Sequence, residues 1–273
     1  MNSLYLNLIK PNLDNDKNFL FEDDGSSITY KDFIAFASKV SHKLTNLGLN
    51  TGDIILVKSP KSKEALSVYL ASILTGTVYL PLNSSYTINE TIYFIKDARP
   101  SFFICEENDI NELKPICDEI NCKILSLNKD GGGKLTESIN AYSNYFEPIE
   151  RNLNDLAALL YTSGTTGKPK GAMLSQENLV SNSKALSDLW EISNKDQLIH
   201  SLPIYHTHGL FVAINTSMIA GASIRFIRGF NLDLIIEAMP NSTLLMGVPT
   251  FYTRLLKDKR LTKSLTSNMR LFI

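Results

Sequence analysis

Short β-branched runs and helix-period segments alternate along most of this chain, and that alternation leaves few folds open to it. Asp53-Ile-Ile-Leu-Val57, bounded by Gly52 and Pro60, reads as a buried strand. Thr77 to Leu80, Ser101 to Cys105 and Lys123 to Leu127 have the same character. Helical spacing runs between them. Phe33, Phe36, Val40, Leu44 and Leu47 recur three and four apart before Gly48, and Glu64 to Thr75 stops at Gly76. Thr87 and Glu90 have the spacing of a capping box, in which each side chain satisfies a backbone donor of the other. Strands separated by helices predict an α/β fold with mostly parallel sheets flanked by helices.

The alternation pauses once. Asp130-Gly-Gly-Gly133 and the polar stretch to about Asn154 form the clearest linker, which divides the chain into a first α/β subdomain, 1–154, and a second, 155–273. Leu156 to Tyr161 then reads as a strand, and a helix is predicted from Ser175 with Leu179, Ala185, Leu186 and Leu189 inward. An apolar helix over 209–220 follows, and then Ala222 to Ile227, Leu232 to Met239, Thr243 to Gly247 and Thr250 to Leu256. Met269-Arg-Leu-Phe-Ile273 reads as the start of a strand, so the second subdomain is expected to be cut short.

Composition narrows the partners. With 44% hydrophobic residues the chain can bury a substantial core, and a net charge of -1 provides no global field for nucleic acid or an anionic membrane. Neither a secretory signal nor a transit peptide is visible, and no apolar stretch reaches membrane-spanning length, which predicts no stable membrane insertion and a cytoplasmic protein. Cys105, Cys117 and Cys122 lack metal-type spacing and read as reduced, buried thiols.

The residues that carry chemistry follow the strand at Leu156. Thr162 to Gly171 contains three Gly, three Thr, one Ser, one Pro and two Lys. Glycine lets backbone approach a polyanion, hydroxyls and amides donate to phosphate oxygens, and lysine supplies charge. Two familiar phosphate motifs fail. A Walker loop needs glycine where Thr162 stands and a hydroxyl where Pro169 stands, and Gly164-Thr-Thr-Gly167 does not make a dinucleotide fingerprint.

The string Tyr161-Thr-Ser-Gly-Thr-Thr-Gly-Lys-Pro-Lys-Gly171 resembles the signature loop of the AMP-forming adenylating enzymes. Ser201-Leu-Pro-Ile-Tyr-His-Thr-His-Gly209 is similar to that family's second core motif. Ile28-Thr-Tyr30, Gly52-Asp53 and Tyr79-Leu-Pro-Leu82 follow its N-terminal pattern, so the resemblance covers nearly the whole chain. Within the family, Leu202 to Phe211 and Met246 to Leu256 look most like malonyl-CoA synthetases.

The resemblance implies the N-terminal part of the large adenylating domain, without the small C-terminal lid domain. It implies ATP-dependent, AMP-forming ligation of malonate or methylmalonate to coenzyme A through an acyl-adenylate, with magnesium accompanying ATP. Thr162, Ser163, Gly164, Thr165, Thr166, Gly167, Lys168 and Lys170 would bind the nucleotide, Lys168 or Lys170 would meet charge on the leaving pyrophosphate, and Thr166 would lie at the metal. His206 would line the acyl site with His208 nearby; each is otherwise a structural histidine. Arg254 would grip the second carboxylate with paired hydrogen bonds, or else is a solvated arginine on its helix. The cluster Lys257, Lys259, Arg260 and Lys263 reads as a solvated helix end. The family's glycine-rich adenine segment, magnesium-binding glutamate and catalytic lysine have no counterpart here, so weak or no adenylation is expected of this chain alone. A non-catalytic phosphate- or ATP-binding remnant and an adenylation domain for another acid are the competing readings.

Overall fold

The computed structural model describes residues 2–162 and 169–273. In chain order come strands β1 (Asn18–Phe21) and β2 (Ser27–Thr29), helix α1 (Tyr30–Asn46), β3 (Ile54–Lys58), α2 (Lys63–Thr75) and β4 (Val78–Pro81). Next are α3 (Ile88–Ala98), β5 (Phe102–Cys105), α4 (Glu107–Glu119), β6 (Lys123–Ser126), β7 (Leu156–Thr162) and β8 (Lys170–Ser175). The remainder is α5 (Gln176–Leu189), β9 (Gln197–His200), α6 (Asn215–Ala220), β10 (Ser223–Phe226), α7 (Leu232–Ala238), β11 (Leu244–Met246), α8 (Pro249–Leu255) and β12 (Leu271–Phe272).

Two compact units divide the chain, and neither is continuous in sequence. One comprises Met1–Leu6 and Ile34–Val180; the other comprises Asn7–Phe33 and Ser181–Ile273. The polar stretch 130–154 lies inside the first. There it contains turns and a short 3-10 helix at Ile139–Ala141.

The first unit carries a six-stranded sheet in the order β6-β5-β3-β4-β7-β8, parallel except for the β7–β8 pair. The second carries a six-stranded sheet in the order β12-β11-β9-β10-β1-β2, parallel except for β1–β2. The two share one plan. In each, four parallel strands stand in the order fourth, third, first, second, and an antiparallel hairpin closes the sheet beside the second. No sequence repeat announces this, because the first unit takes its hairpin from after its four strands and the second takes it from before.

Strand burial explains the parallel arrangement. Val78–Pro81 and Phe102–Cys105 are buried at every position, as strands covered on both faces must be. Leu56 lies opposite Leu80 and Phe103 in register, and packs with Phe94 and Ile95 of α3 and Leu113, Ile116 and Cys117 of α4. In the second sheet Ile199 and Leu245 are partners and pack with Ile235 and Ile236 of α7 and Leu255 of α8. Helix α2 is buried from Ala65 to Thr75, so it has no polar stripe, and it ends on Gly76 at φ 66°, a left-handed conformation that favours glycine.

The structure differs from the sequence reading at two elements. The loop is shorter than expected at its far end, since Lys170 and Gly171 already belong to β8. Ala185 and Leu189 were expected inward, yet Ala185 is exposed and Leu189 is 73% exposed. Helix α5 turns Leu179 inward as expected, but with Val180, Ser183 and Ser187 beside it, and the Ser183 hydroxyl donates to the Phe211 carbonyl at 3.3 Å. All three cysteines are free and buried. Among the described residues no helix is long and apolar enough to cross a membrane.

Candidate functional site

The first functional element is the β7–β8 hairpin. Tyr161 faces Gly171 and Thr162 faces Lys170 in an antiparallel ladder, which brings the two ends of the phosphate-type loop together. Thr162 and Lys170 are exposed. Ser163, Gly164, Thr165, Thr166, Gly167 and Lys168 lie outside the described residues. Helix α3 touches both flanks of this loop. The Tyr161 hydroxyl donates to Asp97 Oδ2 at 2.5 Å, and the Tyr93 hydroxyl donates to the Pro169 carbonyl at 3.1 Å. The Phe94 ring meets Tyr161 edge-on at 4.7 Å. Burial, with the hydrogen bond to Asp97 behind it, pushes the Tyr161 phenol above its usual range, so it remains a proton donor at neutral pH.

The second element lies in the other unit, at the C-terminal edge of its parallel sheet. Strand β9 runs to β10 on one side, and β11 then lies on the other, so the strand order reverses between β9 and β11. Open α/β sheets bind ligands outside the strand ends at such a reversal. The segments leaving β9 and β11 carry His206, His208 and Arg254, so three residues separated in sequence by up to 48 positions leave neighbouring strands at one sheet edge.

The β9 segment is held by a residue the sequence reading did not select. His200, fully buried at the end of β9, donates from Nε2 to the Gly209 carbonyl at 2.7 Å. The turn it closes is tight: a Cβ on Gly209 would sit 2.0 Å from the Pro203 carbonyl oxygen. Gly209 is therefore required by contact distance. A π-helical stretch, His208–Ile214, follows directly, an irregularity that recurs at functional sites. His206 is exposed and packs against Tyr205, the rings tilted with centroids 4.5 Å apart, while His208 is half-buried. Desolvation lowers the pKa of both imidazoles below 6.5, which favours the neutral form at pH 7. Ser201, also unselected, is 2% exposed, and its hydroxyl has no partner among the described residues. Such a group at a sheet edge fits a bound water or ligand.

On the β11 side, Pro249 occupies the first turn of α8, where its missing N–H costs nothing. Phe251 and Arg254, three apart on this helix, meet Phe230 together. Its ring lies 4.5 Å from Phe251 and 5.1 Å from the Arg254 guanidinium. Arg254 is exposed, and no carboxylate among the described residues pairs with it. A guanidinium stacked on an aromatic face keeps its donor edge open for a carboxylate. Arg260, by contrast, is taken up by Asp258 and Asp233, in keeping with a solvated helix end.

Among the described residues no group of three or more His, Cys, Asp or Glu side chains could hold a metal, and Thr166 lies outside them. The geometry thus offers cation and hydroxyl chemistry toward anions, with no built metal cage in the part described.

The profile of the AMP-binding enzyme family matches residues 11–273. This chain belongs to that family. As a family member it is 28% identical over 246 residues to a malonate–CoA ligase of Arabidopsis thaliana, covering 85% of this chain and 40% of that protein. It is 30% identical over 202 residues to a mitochondrial malonate–CoA ligase of Mus musculus, covering 71% of this chain and 34% of that one. The crystal structure of ATP-bound MatB from Rhodopseudomonas palustris superposes with a TM-score of 0.96 at 45% identity, over 99% of this chain and 54% of that one. The chain therefore spans about half the length of the solved relative, and less of the two ligases.

Proposed function

We propose that this chain is the N-terminal part of an ATP-dependent, AMP-forming acid–thiol ligase that joins a small dicarboxylate, malonate or methylmalonate, to coenzyme A. One observation carries the reading: a near-complete superposition, at 45% identity, on a relative crystallised with ATP. In the reaction a carboxylate oxygen attacks the α-phosphorus of ATP, the bond to the β-phosphate breaks, and pyrophosphate leaves with the electron pair. A thiol sulfur then attacks the acyl carbon and AMP departs. The hairpin loop, with Thr162 and Lys170 at its mouth, holds the leaving phosphates and meets their growing charge. Thr166 would supply the loop hydroxyl to the magnesium that accompanies the nucleotide. Neutral His206 lines the acyl site with His208 beside it, and Arg254 on its Phe230 platform grips the carboxylate that is not activated. Cytoplasm remains the compartment we propose.

Equilibrium binding of ATP and malonate-dependent ATP–pyrophosphate exchange test this. The reading expects ATP binding by the 273-residue chain, with weak exchange that malonate stimulates. Exchange stimulated by an aryl or medium-chain acid instead of malonate would overturn the substrate class, and absence of ATP binding would overturn the nucleotide role.

A further inference from the structure

We propose that α3 is a strap fixing both ends of the nucleotide loop, with Tyr93 and Asp97 as positioning residues for the phosphates; this rests on the ligase reading above for the identity of the ligand. The two contacts are independent and lie on opposite flanks. Asp97 holds Tyr161, the last residue before Thr162, and Tyr93 holds Pro169, the last residue before Lys170. Between these anchors the chain runs through seven residues, Thr162 to Lys168, of which two are glycine. Holding both ends of a chain segment lowers the conformational entropy that ordering it around a ligand costs.

The strap is built to be rigid. Tyr93 and Asp97 are four apart on α3, so they share a face. The next face holds Phe94 and Ile95 in the core of the sheet. At its start the helix has a complete capping box between Thr87 and Glu90. Phe94 also links the contacts, meeting Tyr161 edge-on at 4.7 Å and Tyr93 edge-on at 5.3 Å. Pro169 has no N–H, so its carbonyl is its one backbone hydrogen-bonding group, and Tyr93 satisfies it. Neither Tyr93 nor Asp97 belongs to the loop motif, and nothing in their own sequence neighbourhood signals a nucleotide.

The variants are Asp97→Ala, Asp97→Asn, Tyr93→Phe and the Asp97→Ala/Tyr93→Phe pair in the 273-residue chain. Two measurements are made: calorimetric Kd for ATP and for pyrophosphate, and hydrogen exchange of the hairpin peptides in the unliganded chain. Each lost hydrogen bond should weaken ATP and pyrophosphate binding by about 3- to 10-fold, and the pair by more than either alone. Asp97→Asn should recover most of the loss, because its amide oxygen still accepts from Tyr161. Exchange should rise across Leu160–Thr162 and Lys170–Ala172 in the alanine variant while peptides of β3 and β5 are unchanged. Wild-type binding with no change in Kd or exchange in the pair overturns the strap and leaves the ligase reading intact. Faster exchange with unchanged Kd overturns the positioning role. A wild-type chain that binds neither ligand overturns the ligase reading, and the exchange data still decide whether the strap holds the hairpin.

Discussion

Removing Arg270 should cost the second unit more than any exposed arginine would suggest. Its Nε and Nη2 donate to the two carboxylate oxygens of Asp196 at 2.8 and 2.9 Å, and its Nη1 and Nη2 reach the carbonyls of Trp190 and Glu191 at 2.9 and 3.0 Å. Burial pushes the Asp196 carboxyl up, but hydrogen bonds from Arg270, Thr243 and the Ser193 backbone outweigh it and hold the group at about 2. The ordinary value is 3.8. A side chain only 5% exposed needs little discount for solvent screening, so this difference is linked to about 2 kcal/mol of stability. The folded pKa is the lower one, so that stability is present above about pH 4 and is lost as pH falls toward 2. Arg270→Ala also leaves a buried carboxylate and two carbonyls short of donors, which brings the expected cost at pH 7 to about 3 kcal/mol. Trp190 is the sole tryptophan and lies in this unit, so urea unfolding followed by its fluorescence reports on the right structure. The gap between wild type and variant should narrow at pH 2. A cost below about 0.5 kcal/mol, or one that is the same at both pH values, would refute the linkage.

Gly209→Ala should drive the 201–209 turn apart, since its Cβ would lie 2.0 Å from the Pro203 oxygen; a loss of at least 2 kcal/mol is expected by thermal denaturation, against about zero for Gly229→Ala, where a Cβ meets nothing. Arg254→Ala should raise the KM or Kd for malonate by about 10-fold or more, and Arg254→Lys should restore little of it, because a point charge does not replace the paired donors; equal affinity for the dicarboxylate in all three would argue against the grip. His206 and His208 have depressed pKa values, so between those values and 6.5 the unfolded chain binds more protons and stability falls as pH drops through that window. The His206→Asn/His208→Asn pair should flatten the stability difference between pH 7.5 and 5, as measured by urea titration.

Much of the fold was legible because its signals are local. The β3 run, the Gly76 stop and the Thr87–Glu90 capping box are each written within a few residues, and each stands where the pattern put it. The inward face of α5 was legible at Leu179 only, because further along it Ser183 and Ser187 stand where leucines were expected. A serine satisfied by a distant carbonyl, as Ser183 is by Phe211, has the same letter as one in solvent. Strand β8 was hidden for a related reason: Lys170-Gly-Ala-Met-Leu-Ser175 is exposed over its first four residues and lacks the apolar alternation that marks a half-buried strand. At the candidate site, Arg254 and His206 are nominated by motif. His200 and Ser201 were missed, since their roles depend on the Gly209 carbonyl and on an unfilled hydroxyl that only three dimensions reveal. Asp97 and Tyr93 give no sequence signal at all, because their partners stand 64 and 76 residues away.

The borrowed hairpin of the second sheet has a consequence for how the chain can be made. The strands of the first sheet all lie between Ile54 and Ser175, so that sheet can close while the rest is still being synthesised. The second cannot, because β1 pairs with β10 through Leu20 and Ile224, and at ~5–20 residues per second its partner emerges roughly 10–40 s after it. Through that interval β1 can pair with β2 through Leu20 and Ile28, but its other edge, and the buried side chains of Phe19 and Leu20, lack the sheet they finally join. The earliest strand to leave the ribosome thus keeps one edge unpaired longest, and the nascent second unit is most open to holdase chaperones and to off-pathway association at the β10-facing edge of the hairpin over residues 18–29.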